Sequence, residues 1–293
     1  MHIERILCPI DFSEFSVKAY DYAQSLAKHY QSTLFLQHIA QFVVPDYAYY
    51  AAANSIPGIF DMVQDNARIQ MRNFAESHTR TGVQPKCIVH DGVVTDSILS
   101  FAEAQKVNLI VMGTHGVKGV ERVILGSVTE KVLRKSRCPV LVIPKPAHDV
   151  IGMESDQDPI QLKKIVFCTD FSDHSYQALE YALSIAVEYG AELALLHVLD
   201  DIGSSAHIED AIATATKQLD KLIPPEAVKA GKIKTMVRIG RAFEQIIQFA
   251  LEIQADLLIM AVHGRNALDL AVFGSTTYRV IQLGSCPVLA VHV

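Results

Sequence analysis

The sequence predicts an α/β protein built from two tandem, doubly wound, five-stranded parallel sheets, and three observations carry that expectation. The chain repeats itself: Ile6-Leu7-Cys8-Pro9-Ile10-Asp11-Phe12-Ser13 returns as Ile165-Val166-Phe167-Cys168-Thr169-Asp170-Phe171-Ser172, and residues 4–40 align with 163–199 without gaps at 14 identities in 37 positions. Further on, Gly126-Ser127 and Cys138-Pro139-Val140 return as Gly274-Ser275 and Cys286-Pro287-Val288. A repeat of this length is a domain with its own core, not a solenoid unit. Within each copy, short apolar runs alternate with stretches of helical spacing. Runs such as Leu109-Ile110-Val111-Met112 are apolar at every position, as strands are when helices cover both faces of a parallel sheet.

Each element of the first copy has a local cause. Residues 5–10 form the first apolar run, and Ser13 is placed to cap the helix that follows, whose Phe15, Ala19, Tyr22, Ala23 and Ala27 recur at spacings of three and four. A strand is predicted over 33–39, a helix around 61–77, a strand over 86–90, a helix around 95–105, a strand over 109–113, a helix over 127–135 and a last strand over 140–143. The second copy predicts the same order: strands over 164–168, 192–199, 234–239, 257–262 and 288–291, with helices from 172, near 209–222, near 243–253 and from 275. The domains are read as 1–145 and 163–293, joined by a linker over 146–162 that holds Pro146, Gly152, Pro159 and several acidic residues without periodicity. Residues 47–57, rich in tyrosine and alanine, fall in a loop that only the first copy carries and read as a surface flap.

Bulk composition narrows the function classes. With 293 residues, half of them apolar, the chain can bury two cores, and a net charge of −6 argues against a broad nucleic-acid footprint, which needs clustered Lys and Arg. No apolar run approaches the roughly 18 residues of a membrane span, and Met1-His2-Ile3-Glu4-Arg5 enters a strand without a basic leader, so a cytoplasmic location is expected. Five cysteines, four of them in or beside predicted strands, read as reduced thiols.

The chemistry is expected after the fourth strand, where Gly113, Thr114, His115 and Gly116 are followed nine residues later by Gly126-Ser127 at the start of a helix. Glycines permit positive φ and close backbone approach to a ligand, and a helix N-terminus adds unpaired amides and the positive end of a dipole. Such a loop holds a phosphate locally even on an acidic protein. Ser127-Val128-Thr129-Glu130 is equally a capping box that needs no ligand. Its position beyond strand four, beside the Asp11 segment that ends strand one, is where doubly wound sheets take ligands.

At these residues the chain resembles a tandem universal stress protein, two domains of the UspA type. Gly113-x-x-Gly116-x9-Gly126-Ser127 matches that family's ATP-binding pattern, and Pro9, Asp11 and the His38-Ile39 strand end match its adenine and ribose side. The resemblance spans both copies. It implies a Rossmann-like sheet of the nucleotide-binding alpha hydrolase-like type with strand order 3-2-1-4-5. It also implies ATP as ligand, with magnesium: Pro9, Asp11 and Ile39 on the base and ribose, and Gly113, His115, Gly116, Gly126, Ser127 and Val128 around the phosphates. Lys118 and Arg122 are rim charges or merely solvated loop residues. A second site would use Asp170, Val198, Gly264, Gly274 and Ser275, but Ala261 replaces the first glycine and Cys168 replaces Pro9. If Gly113 has positive φ, alanine there strains the loop, so weaker binding is expected in the second copy.

Other chemistries find less support. The histidine pairs His38/His197 and His115/His263 follow from duplication and lack ligand spacing for a metal. No Gly-x-Ser-x-Gly elbow, Walker A sequence or Gly-x-Gly-x-x-Gly after strand one is present, so no catalytic residue is assigned and at most slow ATP hydrolysis or autophosphorylation at Ser127 is expected. Three classes stay open: an ATP-binding regulatory stress protein read by unknown protein partners, which the residues favour; an interaction module independent of nucleotide; and an ATP-using enzyme such as an adenylating enzyme. The apolar edge strands 140–143 and 288–291 seek partners, and the resemblance implies that they pair with each other as a pseudo-dimer within one chain, with a further homodimer compatible.

Overall fold

The computed structural model describes residues 2–40, 59–114, 116, 125–144, 160–200, 208–224, 232–263 and 274–292. His115, Lys118, Arg122, Gly264, the 47–57 stretch and most of the 146–162 segment lie outside the described residues. In the first half the order is β1 (Arg5–Pro9), α1 (Glu14–Tyr30), β2 (Thr33–Ala40), α2 (Ile59–His78), β3 (Lys86–Asp91), α3 (Val94–Ala104), β4 (Leu109–Gly113), α4 (Ser127–Lys135) and β5 (Val140–Ile143). The second half follows with β6 (Lys164–Cys168), α5 (Asp173–Tyr189), β7 (Glu192–Leu199), α6 (Ile208–Asp220), β8 (Ile233–Ile239), α7 (Ala242–Glu252), β9 (Leu257–Ala261), α8 (Ser275–Leu283) and β10 (Val288–Val291). Every predicted element is present, with bounds shifted by no more than two or three residues, the drift expected at frayed ends.

The strands form one ten-stranded sheet in the order β3-β2-β1-β4-β5-β10-β9-β6-β7-β8. Each half is parallel and has the order 3-2-1-4-5. The halves meet where β5 and β10 pair antiparallel, with Leu141 opposite Leu289, its own counterpart in the duplication, at the centre of the seam. β4, β5, β9 and β10 are buried throughout, whereas the outer strands β3 and β8 are partly exposed and carry Lys86, Asp91, Lys234 and Arg238 on the open edges. Charged side chains on an edge discourage pairing with another sheet.

Duplicated sequence gives duplicated caps. Ser13 and Ser172 each accept from the amide three residues on, and α1 and α5 end on left-handed residues, Gln31 at φ 55° and Gly190 at φ 63°. A third shared feature is not legible as a motif: Phe12 and Phe171 adopt φ of 64° and 61°, a strained conformation for a bulky residue. Their rings lie 4.4 and 4.3 Å from His38 and His197, whose Nδ1 atoms donate to the carbonyls of Ile10 and Thr169. Packing of the ring holds the turn that sends Asp11 and Asp170 out of the strand.

The contact between halves is also built from counterparts. His29 and Glu188 occupy equivalent positions and meet across the pseudo-twofold at 3.2 Å, while the His29 ring stacks on Tyr189 at 4.4 Å. Ile160 and Leu162, at the end of the segment read as linker, are buried, and the Ile160 amide donates to Ser25 Oγ at 2.6 Å. His292 leaves the end of β10 and donates from Nε2 to the Leu133 carbonyl of α4 at 2.7 Å, so its buried Nδ1 is the unprotonated nitrogen. Burial, and secondarily the proximity of His263, hold this imidazole below its ordinary value of 6.5. A folded-state value below the unfolded one gives stability that is present above about pH 6.5 and lost as pH falls through and below it. The unfolding temperature of the wild type is therefore expected to drop more between pH 7.5 and 5 than that of His292→Gln; equal drops would remove His292 as the cause.

Candidate functional site

The crevice is set by the two strands that diverge at the centre of each half. β1 leads into α1, whose Ala19, Tyr22 and Ala23 pack on one face of the sheet, and β4 precedes α4, whose Val132 and Leu133 pack on the other, the layout that places a switch point at the carboxyl ends of β1 and β4. Asp11 is locked in place there by its own neighbours: Oδ1 accepts from the Ser13 amide at 3.1 Å and the Ser13 hydroxyl at 2.6 Å. The other oxygen, Oδ2, faces Gly116, where a Cβ would collide with it. Thus Gly116 brings the loop against the carboxylate, and its requirement is space.

The loop leaves and returns through one point. The Gly126 amide donates to the Thr114 carbonyl at 2.8 Å, the Thr114 amide donates to Ile143 at 3.3 Å, and Thr129 Oγ1 donates to the Gly113 carbonyl at 2.9 Å. The same clamps recur in the second half as Gly274 to Val262 at 3.0 Å and Thr277 to Ala261 at 3.0 Å. Thr114 and Gly126, the two ends of this segment, are thus held together at the end of β4. α4 begins there, and the amides of Ser127, Val128 and Thr129 have no acceptor within the helix. Ser127 is exposed and Val128 half-buried.

Two sequence expectations are corrected here. Gly113 and Gly116 do not have positive φ, and Gly126 has φ −57°. A Cβ on Gly113 would instead lie 2.9 Å from the Phe15 carbonyl oxygen and 2.9 Å from its Cβ, so this glycine exists for the close approach of α1 to β4. The strain argument for Ala261 falls with it: Ala261 is accommodated in β9, opposite a helix that carries His174 in place of Phe15. Second, the capping box does not form. The N-cap is Gly126, without a side-chain cap, Ser127 is the first helical residue, and Glu130 pairs with Arg134 at 2.8 Å instead of reaching back. The Gly126 amide donates to Thr114, and the amides of the next three residues have no acceptor within the helix.

On the base side, Pro9 ends β1 in register with Gln37 of β2, and Ile39 follows on the same face of the strand. Ile39 is buried and Pro9 half-buried. In the second half Asp170 Oδ1 accepts from the Ser172 amide and hydroxyl at 3.0 and 2.6 Å, repeating Asp11; Val198 is half-buried, Ser275 exposed, and His263 buried with its ring 5.8 Å from His174. Sequence reasoning passed over Thr129, Thr277 and Gln37. A threonine third in both repeated helices is a signal of the clamp, and Gln37 stands out because its counterpart is Leu196.

Among the described residues no group of three or more His, Cys, Asp or Glu side chains could hold a metal, and no helix is long and apolar enough to cross a membrane. Burial raises the Cys8, Cys138, Cys168 and Cys286 thiols, which makes them poor nucleophiles.

A doubly wound parallel sheet in which the end of the fourth strand is bonded to the start of the next helix in each half places the chain in the α/β class. The model of the universal stress protein family matches residues 2–144 and again 161–292, and the chain belongs to that family. It is similar to the universal stress protein MJ0531 of Methanocaldococcus jannaschii, at 32% identity over 146 residues covering 50% of this chain and 85% of the relative. Over nearly the whole length, 98% of this chain and 96% of the relative, it is 26% identical to a universal stress protein of Mycolicibacterium smegmatis. The fold matches the crystal structure of a universal stress protein from Archaeoglobus fulgidus with a TM-score of 0.67 at 22% identity, covering 98% of this chain and 96% of that one.

Proposed function

We propose that the first half binds ATP, as its magnesium complex, and that the protein is a cytoplasmic stress-response regulator whose nucleotide state is read by protein partners. The observation that carries this reading is the meeting at the strand ends: the hydrogen bond from the Gly126 amide to the Thr114 carbonyl sets the N-terminus of α4 at the end of β4, where Gly116 lies against the Asp11 carboxylate that Ser13 orients. Amides converging in one place hold a phosphate tail without a basic surface, consistent with a net charge of −6. Pro9 and Ile39 then flank the base, Asp11 the ribose, and Gly116 with Ser127 and Val128 the phosphates. No residue is assigned a catalytic role, and turnover is at most slow. The second half, with Cys168 for Pro9 and Leu196 for Gln37, is proposed to bind more weakly.

The test is calorimetric titration of the full chain with ATP, together with mass spectrometry of small molecules released from the purified protein. Gly116→Ala is expected to weaken ATP at least tenfold, because its methyl displaces Asp11 from the Ser13 bonds that hold it, at little cost in unfolding temperature. Absence of binding at millimolar ATP would leave the nucleotide-independent interaction module as the surviving reading. Rapid turnover with a second substrate would favour the ATP-using enzyme.

A further inference from the structure

The two halves share a fold but differ on the outer side of their last two helices. In the first half, α3, α4 and the residues just past α4 carry Glu103, Glu130, Lys131, Arg134, Lys135 and Arg137; Arg137 pairs with Glu103, and Arg134 with Glu130 at 2.8 Å. Their counterparts around α7 and α8 are Leu251, Tyr278, Arg279, Gln282, Leu283 and Ser285. Of the six charges only Arg279 remains, and two have become leucines that are 51% and 49% exposed. α8 thereby gives up the basic last turn that complements the dipole of α4. A single exposed leucine is ordinary, but these belong to a continuous apolar face. Phe243, Ile247 and Leu251 recur every fourth residue and so share one side of α7. That side runs along α8: the Arg279 guanidinium lies over the Phe243 ring at 4.8 Å, and Ile247, Leu251, Gly284 and Ser285 line one small hollow, with Leu283 next to Gly284. The nearby charges of α7 are paired, Glu252 with Arg238 and Glu244 with Arg241 at 3.3 Å.

The loss of charge bears on what covers this face. A different protein can answer a charged patch with opposite charges of its own. A contact about a twofold axis sets each residue near its own copy, so net charge close to the axis is repelled by itself. We propose that the α7–α8 face of the second half is the surface through which two copies of this chain pair about a twofold axis, with Leu251 and Leu283 packed against their own copies. The equivalent face of the first half, with Glu103, Lys135 and Arg137, stays in water, so assembly closes at two chains. This contact is separate from the β5–β10 seam and does not depend on nucleotide binding. Two half-exposed leucines per copy anchor a contact of limited strength, so pairing is expected at micromolar concentration or above.

Sedimentation velocity of the full chain, without nucleotide and from micromolar to near-millimolar concentration, tests the assignment. The average mass of the wild type is expected to climb toward that of two chains and no further. The triple variant Leu251→Glu, Leu283→Lys, Ser285→Arg installs at each position the residue that the first half carries on the same framework, so it is expected to keep the wild-type circular dichroism and to stay monomeric. Leu283→Lys alone, which decides the matter if the triple variant misfolds, is expected to raise the dissociation constant by about tenfold or more. A wild type that stays monomeric throughout, growth beyond two chains, or a dimer whose dissociation constant neither variant moves overturns the proposal.

Discussion

Val142→Asp is expected to cost about 3–5 kcal/mol or more of folding stability, enough to leave little of a typical domain's margin. Val142 is 1% exposed in β5, flanked in register by Met112 of β4 and Val288 of β10. A carboxylate at that point has no cation within the seam, and keeping it neutral merely exchanges the charge for an unpaired hydroxyl. Because β5 is the strand that joins the two halves, the damage falls on the contact between them as well as on the first core. Chemical denaturation followed by circular dichroism reads the effect as a fall in midpoint and a transition that splits in two. Val142→Ala, which removes volume but adds no charge, is expected to cost less and to keep a single transition. An aspartate variant with unchanged midpoint and cooperativity would show that the seam contributes little.

Gly113→Ala is expected to destabilise the protein by roughly 1–3 kcal/mol, the range for forcing extra volume into a packed core. The added methyl meets Phe15 backbone atoms at 2.9 and 3.0 Å, and backbone can move only if the whole of α1 is lifted from β4. Rotating a side chain does not relieve it. The comparison with Gly116→Ala separates two reasons for glycine in one loop: at Gly113 the methyl strikes a helix and stability falls, whereas at Gly116 it strikes a carboxylate and affinity falls. Denaturant midpoints of the two variants measured side by side decide it, and a Gly113→Ala protein as stable as the wild type would mean that α1 shifts freely.

The elements were legible because their causes are local. Ser13 and Ser172 announce helix starts, consecutive apolar residues announce strands covered on both sides, and the duplication lets each half confirm the other. The site was legible in its parts but not in its reasons. Gly113, Gly116 and Gly126 mark the loop in sequence, yet a glycine chosen for φ and one chosen for space look alike until the neighbour is known. Ser127-Val128-Thr129-Glu130 has the spacing of a capping box, and the cap went to Gly126 because its amide is already held by Thr114, a residue twelve positions earlier whose distance no local rule gives. Phe12 looks like an ordinary apolar residue, and only the ring of His38 shows why a strained turn persists there.

By itself, then, the sequence determined two α/β units, their strands and helices, and the glycine-marked segment after the fourth strand, since periodicity, caps and repetition act over a few residues at a time. Tertiary structure alone decided that the fifth strands, which the resemblance already paired, meet antiparallel with Leu141 opposite Leu289, that Phe15 and Asp11 are what the two glycines make room for, and that the buried Gln37 Oε1 finds no donor among the described residues. Those are matters of distance between segments far apart along the chain, and distance is fixed only when the sheet closes and the helices settle on it.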